Sequence, residues 1–310
     1  MKKSNLISSS DDKFDGNRNG GKVTDKFTIR KGITCFVHHW KPSVGAIKAL
    51  VVIFHGFGAH GNYPTVRYAA EFLVDSGYAV VAIDFPGHGQ SDGIRGYVES
   101  PETVIADGFA MVQYAQSLYD DKKQKKNLFL LGSSMGGSIA LLVSNALSSS
   151  DTFVAGVVLL APMLQLKVSY MERFFLSGLA YIVPTIPLIP TSATSNEKQY
   201  RDADKRQECQ NDKLTYKGKL RPRSAYTLVN ITSQLQEKFA LIRTPLLIMV
   251  ADDDVVVQNE GSEKLYNQSS SCTDKTKKHY PALHGLLCEP SPLFDEIKQD
   301  LLSWMDDRAT

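Results

Sequence analysis

The segment Gly132-Ser133-Ser134-Met135-Gly136 sets a serine in the pattern G-x-S-x-G. It lies between the apolar run Leu128 to Leu131 and a stretch of helical apolar spacing from Gly136 to Leu147. A serine at a sharp strand-to-helix turn suits nucleophilic acyl transfer. The turn strains its backbone, the small residues beside it avoid a clash where strand and helix pack, and its Oγ is lifted above the sheet. The pattern recurs at Gly89-Gln90-Ser91-Asp92-Gly93, but there Ile94-Arg95-Gly96-Tyr97 follows, with no helix until about Pro101. Without a helix N-terminus to stabilise negative charge, Ser91 reads as a loop residue.

Attack of an alkoxide on an ester builds a tetrahedral oxyanion, and losing one hydrogen-bond donor to it costs about 10²–10³ in rate. One donor is expected from the amide of Met135, the residue after the nucleophile. The other is expected from His55-Gly56-Phe57-Gly58, directly after the apolar run Val51 to Phe54, where glycines on each side let the Phe57 N–H turn inward. His55, His60 and His88 stand in or beside glycine-rich loops near the same sheet edge and read as structural hydrogen-bonders.

The serine needs a base that titrates near neutrality, which points to histidine. In serine hydrolases built on a parallel sheet the chain order is nucleophile, acid, histidine, the last following the final strand. His284 fits: it follows the run Lys277 to Tyr280 and precedes Gly285 and a closing helix, whereas His279 falls inside that run beside Lys277 and Lys278. For the acid, the strand Pro245 to Val250 is followed by three carboxylates, Asp252, Asp253 and Asp254. Only one can orient the imidazole, because three unpaired buried charges would be prohibitive. Asp254 ends the turn before Val255-Val256-Val257, which can pack it inward, and is taken as the acid, with Asp253 in reserve.

The elements that must position these residues alternate. Short β-branched runs (49–54, 78–83, 128–131, 153–160) are separated by helical spacing at 63–76, 104–118 and 136–147, which implies βαβ units and a parallel sheet buried on both faces. Ahead of them, Phe27 to Arg30 and Thr34 to Trp40 read as a hairpin turning at Lys31-Gly32. The rhythm stops after Ala161-Pro162 and resumes at Pro245, so residues 163–242, with helical pieces at Met171 to Tyr181 and Glu197 to Cys209, read as an insertion. Residues 22–162 and 243–310 then form one α/β core, and the polar segment 1–21 is expected to be disordered. A chain of 310 residues with 43% hydrophobic and 22% charged residues can bury such a core.

The 35 basic and 33 acidic residues leave a formal charge of +2 and no basic stripe, which excludes the usual nucleic-acid footprint. Cys35, Cys209, Cys272 and Cys288 show no metal or redox spacing and read as free thiols in a reducing, cytoplasmic setting. Met1-Lys2-Lys3 is followed by polar residues rather than a secretory apolar stretch, and the proline-broken run Phe174 to Pro190 falls short of the roughly 20 residues that span a bilayer.

Several motifs together carry a family resemblance: His55-Gly56-Phe57-Gly58 with Tyr63, Asp84 to Gly93, Gly132 to Gly137, Ala161-Pro162-Met163, Asp253-Asp254-Val255-Val256, and Tyr280-Pro281 before His284-Gly285. From about Phe27 to Trp304 the chain resembles the monoacylglycerol lipase and lysophospholipase group of α/β hydrolases, which includes plant caffeoylshikimate esterases. The resemblance implies an α/β-hydrolase fold, a helical cap at 163–242 over an acyl pocket, and an acyl-enzyme on Ser134. It also implies no cofactor or metal, a small-molecule lipid ester as substrate, and peripheral membrane contact through the cap. Setting the family's acid motif on Leu265-Tyr266 places its aspartate on Asp254. Met163, Leu164, Phe174 and Phe175 are the residues expected along the acyl chain. Acyl transfer, hydrolysis of a phenolic ester, and a non-catalytic receptor on this fold are the other readings. One departure is Ser133, where the family usually has histidine before the nucleophile; it bears on substrate fit rather than on the chemistry.

Overall fold

The computed structural model describes residues 20–119, 126–191 and 195–309. Residues 1–19, most of the segment expected to be disordered, lie outside them. The chain opens with β1 (Gly20–Arg30) and β2 (Ile33–Pro42), paired antiparallel from Gly20↔Pro42 to Arg30↔Ile33, with Gly32 at φ 77° in the turn. Both strands run longer than their apolar patterns suggest, because ladder pairing extends β1 through residues of weak strand propensity.

There follow β3 (Leu50–Phe54), α1 (Pro64–Asp75), β4 (Ala79–Ile83), α2 (Pro101–Tyr119), β5 (Leu128–Ser133), α3 (Met135–Leu147) and β6 (Val154–Leu160). Helices α4 (Tyr170–Ile182), α5 (Asn196–Gln199), α6 (Ala203–Asn211) and α7 (Pro222–Lys238) then precede β7 (Leu246–Ala251), α8 (Glu260–Gln268), β8 (Lys275–Tyr280) and α9 (Leu293–Asp306). The eight strands form one sheet in the order β1-β2-β4-β3-β5-β6-β7-β8, parallel from β4 to β8. This is the α/β-hydrolase fold.

Strands β3 and β4 are buried along their whole length, as central parallel strands covered on both faces must be. Their alternation feeds two cores. Leu50, Val52 and Phe54 pack with α2, α3 and α7 residues on one face, while Val51 and Ile53 pack with α1 and α9 residues on the other.

Helices α4 to α7 occupy the stretch expected as a cap. Helix α4 has a capping box between Ser169 and Glu172, and it packs on α7. Helix α7 begins with Pro222 and sinks Leu228, Ile231 and Leu235 into the same core as α3, so it also anchors the inserted stretch to the sheet layer. The helical piece read at Glu197 to Cys209 is instead two helices broken at Tyr200, whose φ of −129° and ψ of 122° are extended. Tyr200 leaves the helix to bury its side chain, 4% exposed, against Gly285 and the Tyr63 hydroxyl.

Candidate active site

Ser134 sits between β5 and α3 with φ 54° and ψ −123°, a conformation costing a non-glycine residue on the order of 1–3 kcal/mol. Backbone pairing holds it there: its N–H donates to Leu160 O at 3.1 Å, and its carbonyl accepts from Gly137 N and Met163 N, each at 3.0 Å. Two glycines make the turn sterically feasible. A Cβ on Gly132 would stand 2.2 Å from Gly136 O, and one on Gly136 would stand 1.9 Å from Phe54 O.

The three carboxylates after β7 are separated by their partners. Asp252 meets the exposed His279 (2.7 Å) and Asp253 meets Arg201 (2.8 Å), both at the surface. Asp254 is turned inward, with a side chain fully buried. Its Oδ1 accepts the N–H groups of Val256 (2.7 Å) and Val257 (3.0 Å), and its Oδ2 accepts Nδ1–H of His284 at 2.6 Å. The carboxylate's acceptor sites are thereby used in a way that offsets its burial. His284 stands in the loop between β8 and α9. Gly285 beside it leaves room for the Tyr200 ring, since a Cβ there would lie 2.4 Å from that ring, and its N–H donates to Gln199 O at 2.8 Å.

The loop after β3 is fixed by buried histidines. His55 Nδ1–H donates to Gly56 O (2.8 Å) while Nε2 accepts Phe85 N–H (3.1 Å), which defines a neutral tautomer. Burial, with His88 adding to it, lowers the His55 pKa to about 3, so the ring stays neutral at physiological pH. Gly56 C=O belongs to the same planar peptide as Phe57 N–H, so holding that oxygen also aims that amide. His60 reaches Asp212 of the inserted stretch at 3.0 Å. His38 pairs with Asp84 (3.0 Å), whose carboxylate also accepts Gly61 N and Gln90 N. Burial pushes the Asp84 carboxyl up, but these bonds outweigh it and bring the pKa to about 2. Ser91 donates to Asp84 O (2.6 Å) and accepts Phe36 N–H (2.9 Å), both contacts within the scaffold.

Ser134 and His284 line one cavity of about 40 Å³, together with Phe57, Ser133 and Gly285. Its outer wall is built by Tyr63, Gln199, Tyr200 and Tyr216. The Tyr63 and Tyr200 hydroxyls hydrogen-bond each other at 2.9 Å. Sequence reading singled out none of Gln199, Tyr200 and Tyr216, which lie in the inserted stretch with no local pattern to mark them. Met135 opens α3 beside the serine. Met163 and Leu164 are buried in the core, while Phe174 and Phe175 stand 63% and 62% exposed on α4, and none of the four lines the Ser134 cavity. Phe175 instead borders a groove of about 460 Å³ between α4 and α7.

Comparison with known proteins agrees with this architecture. Residues 45–291 match the family described as serine aminopeptidase, S33. Over 280 residues, the chain is 29% identical to the caffeoylshikimate esterase of Arabidopsis thaliana, covering 88% of this chain and 82% of that one. It is also 29% identical to the monoglyceride lipase of Mus musculus, covering 88% and 87%. Among solved structures, a soluble variant of the Saccharomyces cerevisiae monoglyceride lipase in complex with a substrate analog superimposes with a TM-score of 0.81 at 19% identity, covering 98% of this chain and 100% of that one. At that identity the likeness speaks for the fold. With the family match spanning most of its length, the chain belongs to the serine aminopeptidase S33 family and is a hydrolase of the α/β-hydrolase fold.

Proposed function

We propose that the chain is a serine esterase acting on lipid esters of the monoacylglycerol or lysophospholipid kind. The observation that carries the reading is the 2.6 Å contact from His284 Nδ1 to the buried Asp254 carboxylate, with His284 and Ser134 lining one cavity. In this scheme Nε2 of His284 takes the proton of Ser134 Oγ as the oxygen bonds to the ester carbon. The N–H groups of Phe57 and Met135 hold the oxyanion, and the departing alcohol takes the proton back from His284. Water, activated by the same imidazole, then frees the acid from Ser134. Nucleophile, base and oxyanion donors all come from the protein, so no metal or cofactor enters the scheme. Gln199, Tyr200 and Tyr216 border the Ser134 cavity, so an ester reaching Ser134 meets them.

An acyl chain needs apolar surface. The groove lined by Leu166, Phe175, Leu176, Leu179, Leu228 and Val229, which shares no lining residue with the Ser134 cavity, is the apolar surface this reading assigns to it, and the mouse relative's name points to the same substrate class. Of the four residues expected along the chain, Phe175 is the one in such a groove. Tyr181 and Ile182, 83% and 75% exposed on α4 with Phe174, add an apolar face that suits contact with a lipid surface. No helix among the described residues is long and apolar enough to cross a membrane.

The aromatic wall of Phe57, Tyr63, Tyr200 and Tyr216, with the Arabidopsis relative, favours a phenolic ester as the second reading. Initial rates on p-nitrophenyl esters of varied chain length, a monoacylglycerol, a lysophospholipid and a caffeoyl ester separate the two, and an added acceptor alcohol reports acyl transfer. A fluorophosphonate probe labels the wild type and not Ser134→Ala. Absence of labelling, with no ester turned over, leaves the non-catalytic receptor as the better account.

A further inference from the structure

The wall of the Ser134 cavity carries many polar side chains, and several are already bonded within the protein. The Tyr63 and Tyr200 hydroxyls bond each other, Tyr200 also reaches Gln199 Oε1 at 3.3 Å, and the Tyr216 hydroxyl donates to Lys219 O at 2.7 Å. Thr215 Oγ1 has no partner but is closed off from solvent, so nothing in the cavity can reach it.

Three side chains of the wall remain open to a substrate: Thr65, Ser133 and Asn196. All are half-buried, and among the described residues none has a hydrogen-bond partner for its side chain. None belongs with the sealed, partnerless atoms, so a water-sized group can touch each of them. Ser133 closes β5 and Thr65 lies in the first turn of α1, so both hydroxyls are carried by regular elements rather than by a loop. These two also border, with Gly285, a second cavity of about 20 Å³, which places them near each other and beside the loop of His284. Ser133 stands where the group the chain resembles usually has histidine, so its hydroxyl is a feature of this chain.

The rest of the wall narrows what such a pair suits. No lysine, arginine, aspartate or glutamate borders the cavity, so an ionic group finds no opposite charge there. At about 40 Å³ it is far smaller than the groove of about 460 Å³ between α4 and α7, the surface assigned above to the acyl chain. A neutral alcohol with a free hydroxyl meets both conditions, because a serine or threonine oxygen and the ligand hydroxyl can each donate one hydrogen bond and accept others.

We infer that Thr65 and Ser133 bind a free hydroxyl on the alcohol half of the ester, and so set a preference for hydroxylated over plain alcohols. The inference rests on the esterase reading above, with Ser134 as nucleophile.

Glycerol 1-butyrate and propyl butyrate test it, because they share the acyl group and a three-carbon alcohol and differ by two hydroxyls. The readout is the ratio of their kcat/KM values, taken within each variant so that a loss of folded protein cancels. The wild type favours the glycerol ester by about tenfold or more. Thr65→Val and Ser133→Ala each lower the ratio about fivefold, the worth of one ordinary hydrogen bond, mainly by raising KM for the glycerol ester. Thr65→Ser, which keeps the hydroxyl, holds the wild-type ratio. A wild-type ratio near one, or a wild-type ratio that survives both Thr65→Val and Ser133→Ala, overturns the inference; hydrolysis of p-nitrophenyl butyrate, lost in Ser134→Ala, then leaves the esterase reading standing. No turnover of any of the three esters by the wild type overturns both.

Discussion

Replacing Asp254 by asparagine changes one atom of the carboxylate, and the surrounding hydrogen bonds decide which one. Oδ1 accepts two backbone N–H groups, from Val256 and Val257, whereas Oδ2 accepts a single imidazole N–H. Turning the new NH₂ toward the two amides would leave two buried donors facing a donor, a loss of about 1–3 kcal/mol for each. The amide oxygen therefore stays on the valine side, and the NH₂ takes the place of Oδ2, 2.6 Å from His284 Nδ1 in the native site. Nδ1 must then accept rather than donate, which moves the ring proton to Nε2. That nitrogen can no longer take the proton of Ser134. In a serine protease the equivalent change lowers kcat about 10⁴-fold, about 5 kcal/mol at 1.36 kcal/mol per tenfold, and a loss of that order is expected here.

The assay is kcat on a p-nitrophenyl ester, with the melting transition as the check on folding. Asp253→Asn is the matched control. Its carboxylate is 56% exposed and paired with Arg201 at the surface, a contact worth about 0–1 kcal/mol, so its kcat stays near wild type. Asp254→Asn retaining more than a tenth of wild-type kcat, or Asp253→Asn falling as far, refutes the reasoning.

Three further outcomes follow from the same scaffold. His55→Ala frees the Gly56 carbonyl and with it the aim of the Phe57 amide, so kcat falls by about tenfold or more, toward the 10²–10³ of a lost donor, with KM little changed; a lower melting temperature with unchanged kcat assigns His55 to stability alone. Acid weakens the fold. His55 and His88, with pKa values near 3 and 4 against 6.5 when unfolded, gain protons first in the unfolded chain, so stability that is complete above pH 6.5 is lost as pH falls toward those values. At pH 5 each has lost about 2 kcal/mol and His38, also held down by burial, adds to the loss, whereas Asp107, pushed up to about 6 by burial, and Glu289, raised likewise, oppose it more weakly, so the urea midpoint at pH 5 should lie below that at pH 7. A midpoint that holds or rises contradicts this. Gly136→Ala puts a Cβ 1.9 Å from Phe54 O and abolishes folded protein, whereas Gly178→Ala, in the interior of α4 with open space around it, raises stability by up to about 1 kcal/mol; equal behaviour in thermal melts contradicts the steric account.

What was legible in the sequence depended on how local its cause was. The runs at β3, β4 and β6 show because a central parallel strand is apolar on both faces, and the nucleophile turn shows because Gly132 and Gly136 are demanded by contacts within the turn and with the adjoining strand. Asp252, Asp253 and Asp254 look alike in sequence, and what separates them is distant: His279, Arg201 and His284 lie 27, 52 and 30 positions away. Tyr200 carries the same lesson further. Local periodicity runs through it as one helix, yet its hydroxyl meets Tyr63, 137 positions back, and its ring fills the space left by Gly285. Helix α4 shows the complementary limit. Its apolar residues are spaced for a helix, but spacing cannot say which face is covered, and Phe174 faces outward while Ala180 is the residue α4 buries. The core and the turn that carries Ser134 therefore emerge from short-range rules, whereas the wall of the Ser134 cavity depends on residues of the stretch between β6 and β7. Changes at Tyr200 or Tyr216 should accordingly alter which ester is accepted, and changes at Gly132 or Gly136 whether the nucleophile turn forms at all.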